Sequence, residues 1–229
     1  MPLTLSNTSY LWASLLLVPF WLWMFFKKGV CKKDMVILGG LFGLASVVIG
    51  MAYSNLDYWH PPYIFNNTLH IEDFIYGFLF GGITAEIYNF FGFKDKPSKN
   101  PKANYNFVFL FFIITFLCFE ILVDILKFNS IVALIVPPIL IGLIVVILRK
   151  DFAKPALLSG LTILLFTFFW QQIILFIYPS AIVDFWCLQN LSGFMILGIP
   201  IEELLFAFAL GFGASCCYEF VFNYKYKKI

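Results

Sequence analysis

Apolar residues dominate the chain in long runs that are separated by short polar connections. A helix needs about 20 mostly apolar residues to cross the hydrocarbon core of a bilayer. Seven runs approach or exceed that length, so the pattern predicts an all-α polytopic membrane protein with seven transmembrane helices. The predicted spans are 10–26, 35–53, 71–93, 107–126, 130–148, 155–178 and 198–222.

Composition supports the same class of protein. The 229 residues are 62% hydrophobic and 12% charged, whereas a soluble domain is about half apolar and about a quarter charged. The spans leave no room for a separate soluble domain, so residues 1–229 are predicted to form a single membrane domain located in the cell membrane. A formal net charge of +2 gives no indication of a nucleic-acid partner.

Positive charges alternate between the connections. Fourteen of the 15 Lys and Arg residues fall in every second connection or in the C-terminal tail, and only Lys127 falls on the other side. Short cytoplasmic connections of membrane proteins are enriched in Lys and Arg. The distribution predicts an N-terminus outside the cell and a C-terminus in the cytoplasm.

The chain contains an internal similarity. Ile71-Glu72-Asp73 resembles Ile201-Glu202-Glu203 at an offset of 130 residues, and Asp57-Tyr58-Trp59 resembles Asp184-Phe185-Trp186 at an offset of 127. Duplicated halves are common in membrane transporters and related folds. We predict two three-helix repeats, about 10–93 and about 130–222, joined by a fourth helix at about 107–126. The repeats are parallel because equivalent helices lie four crossings apart and so run in the same direction.

Each repeat begins its third helix with a pair of acids. One reading is structural: Pro200 and acids in a first helical turn match the unpaired N–H groups and positive dipole end there. The other is functional, because acids within a membrane are costly and usually face a cavity or a partner. Successive helical residues point about 100° apart, so one acid of each pair can face the bundle interior while its neighbour caps the helix or faces water.

Further acids lie on other predicted helices. Glu120 and Asp124 are one turn apart in the fourth helix and are expected on one face, level with Glu72 and Glu202, as supporting acids. Carboxyl groups clustered with few cations cannot all be ionised, and one that stays protonated can act as a Brønsted acid. Glu86 and Glu219 lie nearer the cytoplasmic ends of their helices and are expected to be structural or interfacial.

The duplicated motif resembles the lycopene cyclase domain family of bacteria, archaea and fungi, whose members carry Pro-x-Glu-Glu/Asp in each half. The motif falls on Pro200, Glu202 and Glu203 in the second half, and on Glu72 and Asp73 in the first. His70 stands where the family has Pro. The resemblance covers nearly the whole chain and implies the form of the family in which both halves are fused.

This resemblance implies a redox-neutral enzyme, an intramolecular lyase or isomerase that closes a β-ionone ring at the end of a lycopene-like carotenoid. The implied partners are an apolar isoprenoid or carotenoid substrate and the lipid bilayer, with a homo-oligomer left open. Glu72 and Glu202 are expected as acid and base, with Asp73 and Glu203 as further catalytic candidates. Aromatic faces attract cations, so Trp59, Phe74, Tyr76, Trp170, Trp186 and Phe206 are candidates for stabilising a carbocation.

Other classes of protein fit less well. No Gly-x-Gly-x-x-Gly fingerprint supports a nucleotide cofactor, and the five cysteines show no metal-ligand spacing. A retinal protein needs a lysine in its seventh helix, and a metalloprotease needs helix-borne histidines, whereas the chain has only His60 and His70. We therefore expect neither a cofactor nor a metal. A transporter, or a lipid- or isoprenoid-binding protein with an acidic site between the repeats, remains the alternative.

Overall fold

Helices make up most of the computed structural model, which describes residues 5–54, 57–65, 70–90, 95–96, 104–223 and 225–226. Within these residues, six helical segments are long and apolar enough to cross a membrane. This agrees with an all-α polytopic membrane protein. The six segments are Thr8–Phe26, Lys32–Ala52, Asn106–Ile125, Ser130–Leu148, Lys150–Ile177 and Ile201–Val221.

The third predicted span is helical but is not one of these six. Its helix begins at Ile71 and ends at Phe90, and it carries Glu72, Asp73 and Glu86. Most of its side chains are buried against neighbouring helices. Three acids in 20 residues lower the mean hydropathy of this helix. Its side chains pack mostly against neighbouring helices and not against lipid.

The α-helices of the described residues are numbered in chain order. They are α1 (Leu5–Leu15), α2 (Val18–Phe26), α3 (Lys32–Ile49), α4 (Ile71–Phe90), α5 (Tyr105–Phe119), α6 (Ser130–Leu148), α7 (Ala153–Ile177), α8 (Ala181–Phe185), α9 (Ile201–Ala214) and α10 (Cys217–Val221). Helices α3 and α5 run into π-helical turns at Gly50–Ser54 and Glu120–Ile125, and 3-10 turns occupy Lys150–Phe152 and Leu188–Asn190.

Four two-residue strands accompany the helices: β1 (Asp95–Lys96), β2 (Met195–Ile196), β3 (Ile199–Pro200) and β4 (Lys225–Tyr226). Strands β2 and β3 pair antiparallel across Leu197 and Gly198, whose φ angles are 47° and 84°. Two residues with positive φ form the turn that suits a tight hairpin, and Gly adopts that conformation readily. The hairpin leads directly into α9. Strand β1 pairs antiparallel with β4.

Two close helix contacts involve glycine. A Cβ on Gly39 of α3 would lie 2.6 Å from the carbonyl oxygen of Phe78 of α4, and one on Gly160 of α7 would lie 2.8 Å from the ring of Phe208 of α9. Phe78 and Phe208 are 130 residues apart, the offset found between the acid pairs. Small residues let membrane helices approach closely. Helix α4 therefore packs closely against α3, and α9 packs closely against α7.

The connections before α4 and α9 meet each other. The backbones of Trp59 and Trp186 form an isolated antiparallel β-bridge. The centroids of their rings are 4.5 Å apart in an edge-on arrangement. The His60 N–H donates to the Phe185 carbonyl over 2.9 Å, and the Cys187 N–H donates to the Tyr58 carbonyl over 2.8 Å. We call this pairing the tryptophan bridge. It joins the two Asp-aromatic-Trp stretches directly.

The acid pairs define one end of the bundle, which we call the motif end. Helix α4 begins there at Ile71 and finishes at Phe90, whose carbonyl oxygen accepts a hydrogen bond from Lys27 Nζ over 2.6 Å. On the other half, Arg149 donates to Asn223 Oδ1 over 3.0 Å. Lys27 and Arg149 therefore mark the opposite end.

Candidate active site

A cavity of about 370 Å³ lies between the helices of the two halves. Its wall is mostly aromatic and aliphatic, and two carboxyl groups line it, those of Asp73 and Glu203. No Lys or Arg belongs to this lining among the residues described. Pockets that are largely apolar with a few convergent polar groups are the usual form of ligand sites. The second acid of each motif thus reaches one shared cavity.

Asp73 is held by oxygen and imidazole donors. Its Oδ1 accepts a hydrogen bond from the Tyr10 hydroxyl over 2.7 Å, and its Oδ2 accepts one from the Tyr63 hydroxyl over 2.9 Å. His70 Nδ1 lies 2.8 Å from the same Oδ2. Both Asp73 and His70 are buried. An ionised carboxylate accepts hydrogen bonds only, so this arrangement suits a charged Asp73.

Glu203 has a different environment. Its Oε1 accepts a hydrogen bond from the indole N–H of Trp186 over 2.8 Å, and its Oε2 lies 3.5 Å from Gln171 Nε2. The buried Gln171 Oε1 has no hydrogen-bond partner within the described part of the chain. The two ends of an amide are interchanged by a half turn. After that turn, Gln171 Oε1 would face Glu203 Oε2 and would accept a hydrogen bond from a protonated carboxyl group.

The first acid of each motif points away from the cavity. Glu72 is fully buried, and its Oε1 accepts a hydrogen bond from the Ile64 N–H over 2.8 Å. Glu202 Oε1 accepts one from the Ser192 N–H over 2.7 Å. Each of these acids ties the preceding connection to the start of its helix. The expectation that Glu72 and Glu202 would be the acids facing a substrate does not match this geometry, because it is Asp73 and Glu203 that line the cavity.

Most of the aromatic candidates lie in the cavity wall. Trp59, Tyr76, Trp170, Trp186 and Phe206 all line it. The ring of Tyr76 stacks on that of Trp170, with centroids 5.7 Å apart. These faces could stabilise a cation within the cavity.

Phe74 is the exception among the predicted aromatics. It is 36% exposed and packs against Gly43 of α3, at a position where a Cβ would come within 2.9 Å of the ring. On the α-helix α4 it lies next to Asp73 but points about 100° away. Phe74 therefore does not line the cavity, where it was expected to stabilise a carbocation.

The supporting acids of the fourth predicted helix do not reach the site. Glu120 is half-buried and Asp124 is exposed, and neither lines the cavity. Both fall within the π-helical turn Glu120–Ile125. A π-helix bonds residues five apart rather than four, and the two acids are still about one turn apart in it. The expectation that Glu120 and Asp124 support the site does not match this geometry, because neither side chain lines the cavity.

Several residues of the site were not expected from the sequence. Tyr10, Tyr63 and Gln171 contact the two carboxyl groups. Gln171 carried a usable signal, because a polar residue in the middle of an apolar span usually has a function. Tyr10 and Tyr63 carried none, because tyrosines near the ends of spans also serve as interfacial anchors.

A second polar group lies at the opposite end of the bundle. Ligand atoms of Cys31, Asp34 and Glu86 lie within 4.8 Å of one another. Glu86 Oε2 accepts hydrogen bonds from the Cys31 N–H over 3.0 Å and from Asn89 Nδ2 over 3.2 Å. Partial removal from water raises the pKa of the Cys31 thiol to about 11, which disfavours the thiolate that metals bind. Glu86 thus connects the residue just before α3 to the end of α4.

The second half of the chain matches a known family. Residues 129–221 match the family model described as Lycopene cyclase, and the matched range contains Pro200, Glu202 and Glu203 as well as Gln171 and Trp186. No curated protein and no solved structure matches the chain. Residues 129–221, which supply the Glu203 side of the cavity, are therefore similar to the lycopene cyclase family.

Proposed function

We propose that the protein is a membrane-integral carotenoid cyclase that converts the acyclic end of a lycopene-like polyene into a β-ionone ring. The observation that carries this proposal is the meeting of Asp73 and Glu203 in the wall of one apolar, aromatic cavity. The family match over residues 129–221 supports a carotenoid cyclase in general.

Glu203 is the proton donor in this proposal. No described Lys or Arg of the cavity wall balances a charge on it, and an ionised carboxyl group is costly in apolar surroundings. Gln171 offers an oxygen that can accept the proton of a neutral carboxyl group. Asp73 is the base, because the Tyr10, Tyr63 and His70 contacts suit a carboxylate.

The reaction starts with proton transfer from Glu203 to the terminal alkene. The alkene electron pair forms the new C–H bond and leaves a carbocation on the neighbouring carbon. The electron pair of a second double bond then forms the ring C–C bond, which moves the positive charge into the ring. Asp73 removes a ring proton, and the C–H electron pair becomes the ring double bond. The product is an isomer of the substrate, and return of the proton from Asp73 to Glu203 completes the cycle.

The cavity wall supports the cationic stage. Tyr76, Trp170 and Trp186 present aromatic rings to the cavity that the two carboxyl groups line, and an aromatic face attracts a cation by about 0.5–2 kcal/mol depending on desolvation. The apolar lining also excludes the water that would otherwise capture the carbocation.

The proposal is tested by expressing the protein in cells that accumulate lycopene and separating the pigments by chromatography. Glu203→Gln should lower ring formation by roughly 10²- to 10⁴-fold, the usual contribution of a general acid, because the amide keeps an oxygen for the Trp186 N–H but cannot donate a comparable proton. Glu202→Gln is the matched control at the adjacent position and should lose at most several-fold.

Two results would count against the proposal. Unchanged lycopene with folded wild-type protein would reject the cyclase and favour an isoprenoid-binding protein or transporter. Equal activity of wild type and Glu203→Gln would reject Glu203 as the proton donor. Protein amount and folding are followed in both variants by fluorescence-detected gel filtration in detergent.

A further inference from the structure

The residues that directly follow the two tryptophans of the tryptophan bridge contact each other outside the cavity. His60 follows Trp59 and Cys187 follows Trp186, and Cys187 Sγ lies 3.1 Å from His60 Nδ1. We propose that Cys187 is a site of covalent modification, with His60 as its base and a small soluble disulfide as its reaction partner. We call these two side chains the thiol–imidazole pair.

The main chain holds the thiol–imidazole pair in place. The His60 N–H donates to the Phe185 carbonyl over 2.9 Å, and the Cys187 N–H donates to the Tyr58 carbonyl over 2.8 Å. Both hydrogen bonds belong to the tryptophan bridge. The sulfur and the ring nitrogen are therefore brought together by paired backbone segments.

The pair is accessible from water. His60 is exposed and Cys187 is partly exposed, and Cys187 is a free thiol. Neither residue belongs to the described lining of the cavity. A water-soluble reagent can therefore reach the sulfur without entering the cavity.

An adjacent base activates a thiol as a nucleophile, and a neutral imidazole with an unprotonated Nδ1 can accept the thiol proton. In the reaction, Cys187 Sγ attacks one sulfur of the disulfide while its proton passes to His60 Nδ1. The S–S bond of the reagent breaks, and its electron pair leaves with the second sulfur as a thiolate, which takes the proton from the imidazolium. One thiol and one disulfide give one mixed disulfide and one thiol, so the exchange needs no further oxidant.

The other cysteines have different surroundings in the described structure. Cys31 is exposed, but partial removal from water raises the pKa of its thiol to about 11. Because the thiolate is the reactive form of a cysteine, Cys31 should react slowly at neutral pH. Cys118 and Cys217 lie in apolar helices long enough to cross a membrane, and Cys216 is buried. We therefore expect Cys187 to react first.

Modification of Cys187 has a direct route to the candidate active site. Trp186 is its neighbour in the chain, and the indole N–H of Trp186 donates to Glu203 Oε1 over 2.8 Å. A group bound to Sγ would need the space that the imidazole now occupies, so His60 must move and the tryptophan bridge loosens. We expect the mixed disulfide to weaken the contact with Glu203 and to lower ring formation. This consequence rests on the proposed function, whereas the modification does not.

The predicted orientation places the pair where small disulfides occur. The distribution of Lys and Arg predicts that the motif end faces the outside of the cell. Disulfides form and persist in oxidising compartments outside the cytoplasm and are rare within it. A small disulfide in the surrounding medium is therefore the reagent that this location supplies.

Reactivity is measured at neutral pH with dithiodipyridine, an uncharged disulfide that releases a coloured product. Purified wild-type protein in detergent should be labelled first at Cys187, as located by peptide mass spectrometry. His60→Asn should slow this labelling roughly tenfold or more, because an amide cannot take up the thiol proton. Cys31→Ser is the control and should be labelled at the wild-type rate. Equal rates in wild type and His60→Asn, or first labelling at another cysteine, would overturn the proposal.

Free imidazole distinguishes a chemical role of His60 from a structural one. His60→Ala leaves space beside Cys187 Sγ, so imidazole added to the buffer should speed its labelling several-fold and leave the wild-type rate unchanged. Gel filtration in detergent follows the folding of both His60 variants. If imidazole did not speed the labelling of folded His60→Ala, the role of His60 as the base would be rejected.

Oxidised glutathione tests the consequence for ring formation. Wild-type protein that carries the mixed disulfide should convert lycopene several-fold more slowly, and dithiothreitol should restore the rate. Cys187→Ser should keep its own rate with and without oxidised glutathione. Unchanged ring formation by fully modified wild-type protein would reject the link to Glu203. Rapid labelling of Cys187 in folded protein that closes no ring would instead reject the proposed function and leave the modification site standing.

Discussion

Asp73 and Glu203 occupy equivalent positions in two similar motifs, but their surroundings differ in kind. Tyrosine hydroxyls and an imidazole contact Asp73, whereas an indole N–H and an amide contact Glu203. Two carboxyl groups in different environments can take opposite protonation states, which is what acid and base catalysis by a pair requires.

Among the substitutions that test this difference, Asp73→Asn is expected to have the largest effect on ring formation. The amide keeps the shape of the side chain but cannot take up a proton, so β-ring formation should fall by roughly 10²-fold or more. Carbocations that still form should lose a proton from another carbon, which alters the position of the ring double bond. Pigment chromatography with mass spectrometry distinguishes these products.

Glu72→Gln is the control for that experiment. Its amide oxygen can still accept the hydrogen bond from the Ile64 N–H, so we expect a much smaller loss. Similar losses in Asp73→Asn and Glu72→Gln would show that the motif acts as a structural unit and would reject a separate role for Asp73.

Gly50→Ala tests whether the placement of Asp73 matters beyond its identity. A Cβ at Gly50 would collide with Asp73 Oδ2 and would come within 3.2 Å of His70 Nδ1. Overpacking of this kind costs about 1–3 kcal/mol of stability, and we expect a clear loss of ring formation because Asp73 must move. Thermal unfolding in detergent and pigment analysis measure the two effects.

Gly40 supplies the matched control, because a Cβ there would meet no atom within 4 Å. Replacing glycine within a helix favours folding by roughly 0.5–1 kcal/mol, so Gly40→Ala should be neutral or slightly stabilising. If Gly50→Ala behaved like Gly40→Ala, the contact with Asp73 would not constrain the site.

His70→Phe addresses the residue that replaces the motif proline. The aromatic contact with Tyr63, whose ring centroid lies 4.2 Å away, can persist, while the interaction of Nδ1 with Asp73 is lost. Loss of one hydrogen bond is worth about 1 kcal/mol, so the rate of ring formation should fall several-fold. A rate equal to that of wild type would show that His70 does not position Asp73.

The smallest effect is expected at Asp184, the counterpart of Asp57 in the two Asp-aromatic-Trp stretches. Hydrogen bonds from the hydroxyls of Tyr178 and Ser180 lower the pKa of Asp184 below its ordinary value of 3.8. A lowered folded-state pKa gives stability that is present above the unfolded-state pKa and is lost as the pH falls through the folded-state pKa. The exposed position keeps this contribution small.

Asp184→Asn should therefore unfold at a slightly lower temperature than wild type at pH 7, and the difference should vanish in acid below the lowered pKa. Asp57→Asn should cost more, because Asp57 accepts hydrogen bonds from both the N–H and the hydroxyl of Ser130 at the start of α6. A larger effect at Asp184 than at Asp57 would reverse this comparison.

The sequence predicted the helical class and the position of both acid pairs, because long apolar runs and helix-start signals depend on local residues. It also predicted that one acid of each pair would face inward. It could not tell which one, because that depends on how α4 and α9 are rotated against α3 and α7. Glu120 and Asp124 show the same limit, since whether they reach the cavity depends on how their helical segment packs against the rest of the bundle.

The tryptophan bridge has a consequence for how the protein is made. Asp73 and Glu203 are 130 positions apart, and a ribosome adds about 5–20 residues each second, so Glu203 is synthesised on the order of ten seconds after Asp73. The tryptophan bridge between Trp59 and Trp186 can form only after Trp186 has been synthesised. Under the proposed mechanism, a nascent or truncated chain that lacks Glu203 has a base without its proton donor and should close no ring.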